Sequence, residues 1–204
     1  SEDMHKVLVE KFKYNDNEYR IENKLQYKCI TPAEGMHYIL YKCPKCGAEY
    51  EMDSKGDEVF CKACGYRVMY GKFGQFEAVD DNIPPIFDRI DTWYDYQKES
   101  IVKEISEDTF EISKPVNWYS MDNVTFEYEK MGEGVLYIDK GVIGFTGKDL
   151  LENPVEFQVS LSGLFTVVQK IDEAIDLTVN TVIHRFIFLK MPMQRYKFFY
   201  MLRK

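Results

Sequence analysis

No stretch of this 204-residue chain stays apolar for the roughly 18 residues that a membrane-crossing helix needs, so any membrane association is expected to be peripheral. A positively charged, apolar leader is missing too, and with it the signal for export to an oxidising compartment. The expected location is the cytoplasm, with peripheral contact at the inner membrane face. Residue 1 is serine and the first methionine is Met4, which points to a processed or excised piece of a longer polypeptide. Catalytic motifs are scarce. Ser160-Leu161-Ser162-Gly163 lacks the glycine two before the serine that a nucleophile elbow requires, and Gly141, Gly144 and Gly147 fit neither a dinucleotide nor a phosphate loop. Acidic residues stop at Asp176. The whole chain carries −8, so the six cations beyond that point leave −14 on residues 1–176. An acidic bulk of this kind repels a phosphate backbone and argues against broad nucleic-acid binding.

What the chain does have is two Cys-x-x-Cys pairs, each followed by glycine: Cys43-Pro44-Lys45-Cys46-Gly47 and, with fourteen residues between, Cys61-Lys62-Ala63-Cys64-Gly65. Two such knuckles at short-ribbon spacing predict four thiolates around one ion, with each glycine supplying the positive φ that turns amides toward sulfur. Disulfides fit less well, because the fifth cysteine, Cys29, has no mate. Iron also suits four thiolates, and zinc is the default. Four protein ligands leave no open position for water or substrate, so the predicted cofactor is a structural Zn2+ at Cys43, Cys46, Cys61 and Cys64. Cys29 reads as a small buried hydrophobe and receives no role.

The periodicity divides the chain into four stretches. Residues 1–36 show apolar alternation at Val7 and Val9, a turn at Asn15-Asp16-Asn17 and a breaker before Gly35, and read as an N-terminal extension. Residues 37–79 are the ribbon, with strands predicted at His37–Lys42, Glu58–Phe60, Tyr66–Tyr70 and Gln75–Val79 and a polar turn at 53–57. Residues 80–108 form a helical linker, in which Ile90, Trp93, Tyr94, Ile101 and Ile105 predict a helix over Asp91–Ser106 capped by Thr92 or Asp91. Trp93 is expected to pack against an adjoining domain. From 109 to 204 the period shortens to two, with strands at Val124–Tyr128, Val135–Ile138, Val142–Thr146, Val155–Val159, Leu164–Val168, Ala174–Val179 and Val182–Leu189. A helix opening at Pro192 follows, lined by Tyr196, Phe199 and Tyr200. The fold class is therefore mainly β with few helices: a rubredoxin-like zinc ribbon, a linking helix, and a pleckstrin-homology-like (PH-like) antiparallel β-barrel capped by a C-terminal helix.

Together, the run Gly35-Met36-His37-Tyr38-Ile39-Leu40-Tyr41-Lys42-Cys43-Pro44-Lys45-Cys46-Gly47, the second knuckle, Trp93-Tyr94-Asp95-Tyr96-Gln97 and Val102-Lys103-Glu104 resemble the region after the catalytic domain in long bacterial 1-acylglycerol-3-phosphate acyltransferases. The resemblance implies a noncatalytic accessory module of a lysophospholipid acyltransferase-like protein, with the catalytic domain in the same polypeptide. That family's chemistry uses a His-x4-Asp pair, in which imidazole takes the proton of the attacking hydroxyl. Here His5, His37 and His184 are followed five positions on by Glu10, Lys42 and Leu189, so the active site is expected elsewhere. The basic residues Lys190, Arg195, Lys197, Arg203 and Lys204, set among aromatics, suit anionic membrane lipids, while an ordinary solvated helix face with a cationic C-terminus is the simpler account of them. An alternative partner is acyl carrier protein or another subunit, bound by the same basic patch.

Overall fold

The computed structural model describes residues 2–26, 28–80, 82–106, 111–139, 141–163, 167–170, 174–179, 181–189 and 194–202. The chain divides into two compact units, Ser1–Tyr96 and Gln97–Lys204.

The first unit begins with two helices in what the sequence marked only as an N-terminal extension: α1 (Glu2–Lys11) and α2 (Asp16–Glu22). In α1 the apolar residues Met4, Val7 and Leu8 follow helical spacing, and all are more than 45% exposed, so Val7 and Val9 mark no buried strand face. The Asn15 side chain caps α2 by accepting from the amides of Asn17 and Glu18. Residues 37–42, expected as a strand, instead hold the one-turn helix α3 (Met36–Ile39), which starts at Gly35 with φ 83°. The left-handed glycine reverses the chain there, and Lys42 alone keeps an extended contact, a bridge to Glu49. An antiparallel meander follows: β1 (Met52–Lys55), β2 (Glu58–Cys61), β3 (Arg67–Tyr70) and β4 (Phe76–Ala78). Its core joins Leu40, Met52, Val59, Val68 and Phe76 to Trp93, which projects from α4 (Ile90–Ile105). Trp93 thus packs within the ribbon unit itself, and the two halves of α4 fall in different units.

The extension is also tied into this unit. Asn15 donates to Asp91 at 2.8 Å, Arg89 reaches Asp91 through both Nε and Nη2, and its Nη1 lies 2.8 Å from Glu18. Asp91 is held in this cluster, whereas Thr92 donates its hydroxyl to the Arg89 carbonyl.

The second unit is one antiparallel sheet of β5 (Glu111–Met121), β6 (Tyr128–Asp139), β7 (Val142–Asp149), β8 (Pro154–Ser160), β9 (Val167–Lys170), β10 (Ala174–Val179) and β11 (Val182–Phe188), in the order β8-β7-β6-β5-β11-β10-β9. It curls into a half-barrel, with no pairing between the edge strands β8 and β9 among the described residues. The strand expected at Val124–Tyr128 is a turn, because Asp122 accepts from the amides of Val124 and Thr125 and from the Thr125 hydroxyl. Pro115 sits within β5 opposite Leu189, whose N–H its carbonyl accepts at 3.2 Å, so its missing N–H falls at the very end of the β11 ladder, one residue past Val116, and removes no bond to β6.

Glycine explains the curl. Gly134 and Gly147 are register partners on β6 and β7, and the Phe145 ring lies 2.8 Å and 2.7 Å from where their Cβ atoms would stand. The ring fills the space that two missing side chains leave, which lets the strands bend around it. Phe145 then packs with Trp118, Phe157 and Phe186 on the concave face. On the opposite face Arg185 grips Asp176 with two bonds of 2.8 Å, stacks over the Tyr128 ring, and shares Asp176 with the Tyr128 hydroxyl. A final helix, α5 (Gln194–Leu202), buries Tyr196, Phe198 and Met201 and packs on β9 and β10. Pro192 and residues 164–166 of the expected elements lie outside the described residues.

Candidate metal centre

Both knuckles are the same turn built twice. Gly47 N–H donates to the Cys43 carbonyl at 3.0 Å and Cys43 N–H to that of Ala48 at 2.9 Å; Gly65 donates to Cys61 at 3.0 Å and Cys61 to Tyr66 at 2.7 Å. Gly47 and Gly65 sit at φ 74° and 71°, with nothing within 4 Å of a would-be Cβ, so the backbone angle rather than crowding demands glycine. This turn aims the amides of Lys45 and Cys46 at the Cys43 sulfur, those of Ala63 and Cys64 at the Cys61 sulfur, and that of Ala48 at the Cys46 sulfur. Each N–H helps to hold negative charge on its thiolate.

The four Sγ atoms lie within 4.8 Å of one another, with Cys43 to Cys64 at 3.7 Å and Cys46 to Cys61 at 3.9 Å. A tetrahedron with Zn–S bonds of ~2.3 Å has edges of about 3.8 Å, so the sulfurs already stand near the corners that a zinc ion requires. The site is that of a structural Zn2+, with its shell completed by protein. Burial raises the Cys43 thiol well above its usual range and also raises that of Cys61, whereas the Ala48 amide brings Cys46 down to about 7. A divalent cation supplies the charge that ionises the two inner sulfurs.

Sequence spacing found the ligands but not their brace. Trp93 is fully buried, and its Nε1–H donates at 2.9 Å to the carbonyl of Lys42, the residue before the first knuckle. Its ring meets Tyr66, the residue after the second knuckle, edge-on at 6.2 Å, and Phe76 at 5.4 Å. Tyr66 in turn accepts the Ile86 amide through its hydroxyl. One tryptophan therefore fixes the approach to one cysteine pair and the exit from the other. An indole among helical apolar residues was the available signal, and nothing local to it names Lys42 as the acceptor.

The histidines are engaged elsewhere. His37 Nδ1 lies 2.7 Å from the Ser54 hydroxyl, and burial lowers its pKa against the opposing pull of Asp53. His184 accepts the Trp118 indole N–H at 3.0 Å, and its pKa is likewise lowered by burial. His5 stands exposed on α1. Cys29, expected inside, is exposed beside a cleft of about 480 Å³ whose polar lining includes Arg20, Asp57, Lys72 and Glu77. Of the basic residues assigned to lipid, Lys197 is buried and ion-paired with Glu104, which removes it from any outward basic face. Lys190, Arg203, Lys204 and the side chain of Arg195 lie outside the described residues. Among the described residues no helix is long and apolar enough to cross a membrane.

Comparison with known proteins agrees with this geometry over a limited span. The model of one zinc-ribbon family, described as DNA-directed RNA polymerase, 7 kDa subunit, matches residues 34–72, which hold both knuckles and β1 to β3. No curated protein matches the chain. The chain thus contains a zinc ribbon similar to that family's, on fewer than a quarter of its length.

Proposed function

We propose that this chain is a noncatalytic, zinc-stabilised accessory module of a lysophospholipid (1-acylglycerol-3-phosphate) acyltransferase-like protein. The observation that carries the noncatalytic assignment is the closed four-sulfur shell, which leaves the metal no position for water or substrate. Support for the acyltransferase setting is the resemblance of the Gly35–Gly47 run and the Trp93-Tyr94 helix, two segments whose co-occurrence has a physical basis in the Trp93–Lys42 hydrogen bond. In the finer reading, the PH-like half-barrel and its basic end dock at anionic lipid headgroups through Lys190, Arg195, Arg203 and Lys204. Flotation of the zinc-loaded chain with phosphatidylglycerol and with phosphatidylcholine vesicles tests this. Recovery with the anionic vesicles alone, lost when the four cations become glutamine, is the expected result. Equal recovery with both, or indifference to the substitutions, removes the lipid assignment.

A second reading is a protein-interaction module for acyl carrier protein or another subunit; the matching ribbon family is described as a polymerase subunit, which supports the subunit contact alone. Saturable binding of purified acyl carrier protein that is abolished by the same four substitutions, with no vesicle binding, selects this reading over the first.

A further inference from the structure

The outer edge of β8 has the form of a surface that pairs with itself. Strand β8 is the last in its sheet, bonded to β7 from Lys148↔Pro154 to Val142↔Ser160, and α5 packs on β9 and β10, at the other end of the strand order. Two flanking bonds fix which backbone groups face outward. Asp149 N–H donates to the Asn153 carbonyl at 3.0 Å before the strand, and Leu161 N–H donates to the Gly141 carbonyl at 2.8 Å after it. Alternation between these points turns the amides and carbonyls of Val155, Phe157 and Val159 toward β7, and those of Glu156, Gln158 and Ser160 away from it. Edge strands are usually blunted by lysine, bulges or proline; here the sole such device is Pro154, at the very start.

The side chains tell the same story. Val155, Phe157 and Val159 face the concave side and are only partly buried, because the apolar row ends at the edge. Phe157 touches the aromatic cluster, 5.4 Å from Phe145 and 5.2 Å from His184, and beyond β8 no further strand is paired among the described residues.

We infer that two copies of this protein associate through β8, antiparallel, about a two-fold axis at Phe157. The segment is close to palindromic about that residue: Val155 falls opposite Val159, Phe157 opposite Phe157, and Glu156 opposite Gln158. Each Glu156–Gln158 pair exchanges two backbone hydrogen bonds, and each Ser160 amide donates to a Pro154 carbonyl. Glu156, the strand's single charge, meets a neutral amide, whereas centring the axis on Glu156 would oppose two carboxylates directly. The near-palindrome and the placement of the single charge thus name a second copy as the occupant.

The inference stands apart from the proposed function and is tested by sedimentation of the full zinc-loaded chain. The expected result is a concentration-dependent dimer. Q158E, which opposes like charges twice across the axis, raises its dissociation constant on the order of tenfold, and Q158K lowers it by a similar factor. Q158P removes an outward amide that β7 does not use, so it abolishes the dimer while the second unit still unfolds at the same temperature. A protein that stays monomeric at roughly 100 µM overturns the inference. So does a dimer indifferent to all three variants, or one that Glu and Lys shift in the same direction.

Discussion

Replacing Trp93 by phenylalanine should loosen zinc although residue 93 is no ligand. The indole Nε1–H is the partner of the Lys42 carbonyl at 2.9 Å, next to Cys43 and inside a fully buried environment. Phenylalanine keeps the contacts with Phe76 and Tyr66 in part but leaves that carbonyl without its donor, at a cost of about 1–3 kcal/mol. The smaller ring also leaves a cavity worth about 1 kcal/mol. Ribbons of this size are unfolded without their metal, so most of the loss, about 2–4 kcal/mol, appears as weaker zinc binding. Even the lower figure corresponds to about a thirtyfold higher zinc dissociation constant. Competition with a chromophoric chelator at fixed pH measures it directly, with Trp118→Phe as the control because Trp118 belongs to the second unit. A W93F protein that holds zinc as tightly as the parent would refute the claim that the helix braces the knuckles.

Three further outcomes follow from the geometry. Metal binding expels protons from the buried thiols of Cys43 and Cys61, whose pKa values are raised by burial, so the metal-bound state carries fewer protons than the metal-free state. Zinc affinity should therefore rise with pH between about 6 and 9 and fall on acidification; a flat titration contradicts this. Asp176→Ala removes two Arg185 bonds and one from Tyr128 at a site 8% exposed, and should destabilise the second unit by about 3 kcal/mol in a denaturant titration, against about 1 kcal/mol for Tyr128→Phe. Gly134→Ala drives a methyl into the Thr146 carbonyl and the Phe145 ring, and should cost about 1–3 kcal/mol while leaving zinc binding untouched.

The metal ligands were legible because their chemistry is local: four residues, two turns and two glycines state the whole requirement within 23 positions, Cys43 to Gly65. Helix α4 was legible for a similar reason, with its apolar spacing matching Ile90–Ile105 within a residue at each end. Elements without a buried face were harder to read. Helix α1 is exposed along its length, so nothing in its sequence had to separate a core side from a water side, and the alternation at Val7 and Val9 gave no helical period to read. At Val124–Tyr128 the β-branched and aromatic residues favoured a strand, yet one carboxylate, Asp122, captures three donors and closes a turn. Strand β5 was obscured by Pro115, whose tolerance depends on where β11 stops, a tertiary fact. The Arg185–Asp176–Tyr128 cluster and the Trp93–Lys42 bond join residues 48 and 51 positions apart and leave no trace in local spacing.

The zinc shell has an inside and an outside. Cys43 and Cys61 are sealed in the ribbon core, while Cys46 and Cys64 reach the surface. An attacking chelator or a foreign thiol therefore meets the later sulfur of each knuckle first, and exchange of the ion proceeds by substituting those two ligands while the inner pair still grips. Oxidants face the same order of accessibility, so damage begins at positions 46 and 64, and the first stage of metal loss leaves the core anchors in place for recapture.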